Sequence, residues 1–169
     1  MPVQRLNHAV LFVRDVERSV AFYREALDFK VVMSAPGAAF LQASGSTNDH
    51  DLGLFQIGSQ AGSSGAGRST VGLYHLAWEV DTLAELERVA LKLGELNALV
   101  GASDHSTTKA LYAKDPDGLE FEVSWLVPAD LLTDELLRGR AAIKPLDIAK
   151  EKERYGAETR GGLGVSIPA

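Results

Sequence analysis

Two similar segments, Leu6-Asn7-His8-Ala9-Val10 and Leu73-Tyr74-His75-Leu76-Ala77, each place one histidine inside a short apolar run. His8 and His75 lie 67 positions apart, and an amphipathic stretch follows each run, as a duplicated module with one imidazole per copy requires. A carboxylate, Glu122, stands near the end of the second copy. Two imidazoles and one carboxylate make the simplest open metal site, because three protein ligands leave coordination positions for substrate. The chain has no cysteine, which removes disulfides, thiolate zinc sites and cysteine nucleophiles. A metal must therefore be held through imidazole, carboxylate and water.

The elements that would carry these groups repeat as well. An apolar, β-branched run over 3–13 predicts a buried strand, with Asp15 placed to cap the next helix. Val16, Val20, Tyr23 and Leu27 follow at helical spacing, and strands are expected over 29–33, 38–43 and 52–57. Residues 58–72 are rich in Gly, Ser and Ala and read as a linker or as a flap over a site. A strand then recurs over 73–80, followed by a helix capped by Asp81, with Leu83, Leu86, Val89, Ala90 and Leu93 as its apolar stripe. Strands over 98–102, 110–114 and 119–126 follow, with a tight turn at Asp115-Pro116-Asp117-Gly118. Each copy reads βαβββ. The expected fold class is α+β, with modules 3–57 and 73–126 forming one domain over 1–126. Helices over 131–138 and 146–155 and a loose tail over 161–169 would make a C-terminal helical extension over 127–169.

Alternation in the last strand puts Glu120, Glu122 and Ser124 on one face and Leu119, Phe121, Val123 and Trp125 on the other. Two carboxylates facing a cavity are costly unless a positive charge sits opposite, and a divalent metal supplies it. Glu120 is the alternative to Glu122 if the register differs by one pleat.

The bulk properties narrow the partners. At 169 residues and 46% apolar content the chain can bury one core, and it contains no apolar run long enough to span a membrane. A net charge of -6 argues against nucleic-acid or anionic-membrane binding. The basic residues over 144–154 are interleaved with acids, as on a solvated helix face. Residues 1–5 lack a signal-peptide apolar region, from which a cytoplasmic location is expected.

Three motifs carry a family resemblance. They are Leu6-Asn7-His8-Ala9-Val10-Leu11-Phe12-Val13 with Phe22-Tyr23, then Tyr74-His75-Leu76-Ala77-Trp78-Glu79-Val80, then Asp115-Pro116-Asp117-Gly118-Leu119-Glu120-Phe121-Glu122. In this order, over 6–125, the chain resembles the vicinal oxygen chelate superfamily. That superfamily includes glyoxalase I, extradiol ring-cleavage dioxygenases and bleomycin- and fosfomycin-resistance proteins. The resemblance implies paired modules curled into a half-open barrel around a metal, His8, His75 and Glu122 as its ligands, and a homodimer.

The repeat also bears on which activity to expect. A shift of 67 puts the counterpart of Glu122 at Phe55, or at Leu54 with a one-residue gap, and a further slip reaches Gln56. Glyoxalase I typically has Glu or Gln in this slot. An empty slot leaves the two-His-one-carboxylate set of non-haem Fe(II) oxygenases. Asp104-His105-Ser106 and Ala110-Leu111-Tyr112 resemble the substrate-contacting segment of extradiol dioxygenases, and His50 resembles their acid–base histidine. Alternatives remain for each: His50 as a surface residue, His105 in a turn, Tyr112 in packing. The single pair of modules is most similar to single-domain catechol 2,3-dioxygenase-like members. That similarity implies Fe(II), with Mn, Zn, Ni or Co as alternatives, and a catechol or other vicinal-oxygen compound with O2 as substrates. A glyoxalase-like isomerase, lyase or epimerase and a metal-free drug-binding resistance protein are the competing readings.

Overall fold

Strand alternation decides which side of each sheet is covered. The structure, a computed structural model, describes residues 2–3, 5–67 and 69–162. Its first sheet runs in the order β1 (Ala9–Val13), β4 (Leu52–Gln56), β3 (Ala38–Gln42), β2 (Lys30–Ala35). β1 lies parallel to β4, and the other pairs are antiparallel. Leu11, Val13, Ala39, Leu41, Leu52 and Leu54 are buried on the face against which helix α1 (Val16–Leu27) packs. Val10, Phe12 and Phe55 stand exposed on the other. The strand expected from residue 3 begins only at Ala9, because pairing with β4 starts at Ala9–Leu52 and, among the described residues, none earlier has a partner strand. Val3 and Leu6 are accordingly exposed.

Asp15 caps α1 as expected, accepting from the Arg18 amide. The helix is rotated from its apolar stripe: Val16, Ser19, Phe22, Tyr23 and Ala26 are buried, while Val20 and Leu27 are only partly so. Small Ser19 and Ala26 allow close approach to the sheet, so size overrides hydropathy here.

The second sheet repeats the pattern and adds a strand. Its order is β5 (Leu76–Glu79), β8 (Glu120–Leu126), β7 (Thr108–Lys114), β6 (Leu99–Asp104), β9 (Lys144–Pro145), with β5 parallel to β8. Helix α2 (Leu83–Glu95) buries Leu83, Leu86, Val89 and Leu93. Its cap is Thr82, whose side chain accepts from the Glu85 amide, and not Asp81 one residue earlier. Both copies carry a one-residue bulge at the same place, between Val31 and Met33 and between Leu99 and Gly101. Two mixed, open sheets with helices give the expected α+β class.

The chain divides into two compact units. One holds residues up to Ser64 together with Asp115–Gly118, and the other holds Gly65–Lys114 and the chain from Leu119 on. The turn at Asp115–Gly118 thus belongs to the first unit. Arg14 grips Asp117 there, with its backbone amide 2.9 Å from Oδ2 and its Nη1 2.8 Å from Oδ1. Gly118, at φ +85, closes the turn by donating to the Asp115 carbonyl. The buried Tyr23 hydroxyl donates to Asp115, and burial, reinforced by that carboxylate, holds the phenol neutral well above its ordinary range.

The C-terminal extension is helical but includes β9. Helix α3 (Asp134–Arg138) is capped by Thr133, a 3-10 turn spans Gly139–Ala141, and helix α4 (Ile148–Tyr155) is capped by Asp147. Lys152 of α4 reaches Glu87 of α2 at 2.6 Å, and the Trp125 indole donates to the Thr159 carbonyl. The tail expected over 161–169 lies outside the described residues from 163 on.

Replacing fully buried Leu86 with alanine is expected to cost about 2–5 kcal/mol of unfolding free energy. Val32→Ala, at an exposed bulge position, should stay within about 0.5 kcal/mol. Urea unfolding of both variants measures the difference.

Candidate functional site

β8 is the strand on which the second unit's polar residues assemble. Phe121, Val123 and Trp125 are buried on its α2 side, which sends Glu122 to the opposite face, where it is partly covered. β8 lies between β5 and β7, and register sets Ala77 and Tyr112 beside Glu122. His75 immediately precedes β5, and its Nε2 stands 3.4 Å from Glu122 Oε2. Two atoms that bind one ion at about 2.1 Å each sit about 3.0–3.4 Å apart. The separation thus suits two ligands of one ion as well as a long His–carboxylate contact. The buried His75 Nδ1 has no hydrogen-bond partner.

Tyr112 joins the pair. Its phenol is pushed up to about 12 by burial, then by the Glu122 charge and a hydrogen bond to that carboxylate, with a further contribution from Tyr74. The phenol is thus a neutral donor at neutral pH. His105 Nε2 lies 2.9 Å from the same hydroxyl. The hydroxyl and the imidazole share one hydrogen bond, whose direction the His105 tautomer sets. The sequence candidates His75, Tyr112, His105 and Glu122 therefore form one connected group in the second unit.

His8 and His50 come together in the first unit. His8 immediately precedes β1, the position His75 has before β5. Its ring lies 4.5 Å from the ring of His50, and Phe40 stands edge-on to His50 at 5.1 Å. His50 Nδ1 contacts Asp49 Oδ2 at 2.8 Å, and His8 Nδ1 contacts Asn7 Oδ1 at 2.7 Å. The loop carrying His50 is organised by Asp51, which accepts from the Ala43 amide, the Ser46 hydroxyl and the Asn48 amide group. Asn48 also donates to the Asn7 carbonyl, which ties the loop to the segment before β1. Among the described residues, no three His, Asp or Glu side chains gather into a metal-holding cluster.

Sheet register corrects the counterpart of Glu122. Val10 pairs with Gly53 as Ala77 pairs with Glu122, so the slot in the first copy is Gly53, not Phe55 or Leu54. The intervening loops differ in length, and a constant shift of 67 misses by two residues. A Cβ on Gly53 would already contact Val10 and the Phe40 ring at 3.4–3.6 Å. Gln56 is occupied elsewhere, its Oε1 accepting from the Val16 amide at the start of α1. The slot holds no ligand in this chain.

Comparison with known proteins agrees with this architecture. Residues 5–123 match the family model of the Glyoxalase/Bleomycin resistance protein/Dioxygenase superfamily. A catechol-2,3-dioxygenase of Bacillus subtilis (strain 168) is 31% identical over 118 residues, 70% of this chain but only 40% of that protein. The metallothiol transferase FosB of Lysinibacillus sphaericus (strain C3-41) is 26% identical over 129 residues, covering 72% of this chain and 82% of the transferase. Among solved structures, a glyoxylase/bleomycin resistance protein/dioxygenase domain from Frankia sp. EAN1pec superposes with TM-score 0.59 at 21% identity, over 73% of this chain and 92% of that one. A fosfomycin resistance protein FosX from Listeria monocytogenes, solved with Mn(II) and a dihydroxypropylphosphonic acid, gives 0.57 at 18% identity, over 83% and 100%.

Because the folded protein holds the Tyr112 phenol neutral, its contribution to stability is full below pH 10 and is lost as pH rises through about 12. Glu122→Gln removes the carboxylate charge but not the burial. Ultraviolet titration of the metal-free variant should therefore show the Tyr112 midpoint lowered from about 12 yet still above 10, with the stability loss confined to a narrower pH window.

Proposed function

We infer the activity from the family: the chain belongs to the Glyoxalase/Bleomycin resistance protein/Dioxygenase superfamily, and we propose that it is a metal-dependent, extradiol-type dioxygenase. Its substrates would be a catechol, or another compound with vicinal oxygens, and O2. The observation that carries this reading is the grouping of His75, Glu122, Tyr112 and His105, combined with the missing ligand at Gly53. We assign His8, His75 and Glu122 as the metal ligands and favour Fe(II), with Mn, Zn, Ni or Co as alternatives. When bound, such an ion supplies Lewis acidity to the two substrate oxygens and a route for electrons to O2.

The chain's own groups supply the proton chemistry. Tyr112, neutral at pH 7, accepts from His105 Nε2–H and turns its single proton from Glu122 to a substrate oxygen. His50 takes the hydroxyl proton of the bound catechol and returns it as the ring opens, a task suited to an imidazole near neutral pH. Both oxygen atoms enter the product, so no external reductant is needed. A cytoplasmic homodimer completes the reading. Among the described residues no helix is long and apolar enough to cross a membrane.

A second reading rests on the similarity to the FosB metallothiol transferase, which spans most of that protein. It gives a divalent-metal transferase, isomerase or lyase reaction that consumes no oxygen. A metal-free, drug-binding resistance protein is disfavoured because the His75–Glu122 pair is retained.

Anaerobic loading with Fe(II), followed by oxygen-electrode assays over a panel of catechols, tests the proposal. Oxygen uptake is expected for the wild type. It should fall on the order of 100-fold or more in His75→Ala and Glu122→Gln, since losing even an outer-shell partner costs roughly 10–100-fold. No uptake with any catechol, together with Mn(II)- or Zn(II)-dependent activity under argon, would move the assignment to the second reading.

A further inference from the structure

The residues behind the His105 turn come from two parts of the chain. Ser106 sits at φ 69, a left-handed conformation that a non-glycine residue adopts only when held there. Asp104 Oδ1 accepts from the Ser106 amide at 2.7 Å and from Lys109 Nζ at 2.6 Å. Lys109 is completely buried on the face of β7 opposite Tyr112. Its second partner is Glu151 of α4, at 3.0 Å. A buried ammonium is retained only with such partners, and removing one leaves an uncompensated charge.

Two more contacts arrive from the C-terminal extension. β9 pairs with β6 at Asp104–Lys144, beside the turn. Gly139 packs against Ser106 so closely that a Cβ would lie 2.7 Å from its Oγ and 3.1 Å from its Cβ. Gly139 itself has φ -76, open to any residue, so the backbone does not require glycine there. A side chain at 139 would instead have to displace Ser106. Glu151, Lys144 and Gly139 all lie beyond residue 123, where the family match ends.

We propose that the C-terminal extension is a working part of the site: Glu151, Lys109, Asp104 and Gly139 are positioning residues that clamp the Ser106 turn and so hold His105 against the Tyr112 hydroxyl. The proposal builds on the assignment of His105 to the site. In the family's shared module His105 stands at the end of an edge strand, and here α4 and β9 back that edge.

The test is nuclear magnetic resonance of the imidazole protons in the full chain, with His105 assigned through His105→Gln. Gly139→Ala and Glu151→Gln are expected to shift or broaden the His105 signals while those of His8 and His50 stay in place, with Glu151→Asp restoring part of the change. In the oxygen assay the same variants should lose about 10–100-fold in kcat, with KM changed by no more than about twofold, as for a misplaced catalytic group. If both variants melt at lower temperature but keep the wild-type His105 signals, the extension serves stability alone and the proposal fails. Should Glu151→Gln not fold, Gly139→Ala decides by the same criterion. Shifted His105 signals in a protein whose wild type consumes no oxygen with catechols would support the clamp and overturn only the dioxygenase assignment.

Discussion

The two-sidedness of β8 is the constraint from which the rest of the site follows. Phe121, Val123 and Trp125 must face α2 to close the core of the second unit, and that obligation leaves Glu122 no choice of side. Pairing on both edges then does the positioning. Parallel register with β5 brings in His75 from the residue before that strand, and antiparallel register with β7 sets Tyr112 directly across from the carboxylate. A slip of one residue would send Glu122 into the core and detach it from both partners.

The two copies have kept the scaffold and divided the chemistry. Each preserves a histidine at the mouth of its first strand and a bulge in its second. Yet where the second copy pairs Tyr112 with Glu122, the first pairs Phe40 with Gly53. The aromatic ring is retained without its hydroxyl, and the carboxylate position is reduced to hydrogen. One copy thus sets a phenol and a carboxylate side by side on strands, whereas the other sets imidazoles at strand and loop ends beside an aromatic ring.

What could be read from sequence was what depends on local periodicity. The alternation that turns Glu122 away from the α2 core, the turn at Asp115–Gly118, the cap at Asp15 and the repeat of βαβββ all follow from spacing within a few residues. Features set by distant partners were less legible. β1 begins where pairing with β4 begins, at Ala9–Leu52, which no pattern within residues 3–13 announces. Ser19 is buried in α1 because the sheet comes close, not because serine is apolar. A fixed offset of 67 misses the counterpart of Glu122 by two residues because register accumulates loop-length differences. Lys109 gave no sign of being a buried charge, since its partners Asp104 and Glu151 lie on different elements. The run over 144–154 reads as a solvated face, yet it supplies both β9 and the Glu151 end of that network.

We propose that two histidines and one carboxylate, one histidine from each copy, would hold a metal and leave the remaining positions to substrate. Anomalous diffraction at the iron absorption edge from crystals loaded with Fe(II) under argon addresses it most directly. A single strong peak bound by His8, His75 and Glu122 is expected, with no protein atom contributed from Gly53 or Gln56. A peak bound by a different set of side chains, or no peak in crystals of folded, iron-soaked protein, would contradict it.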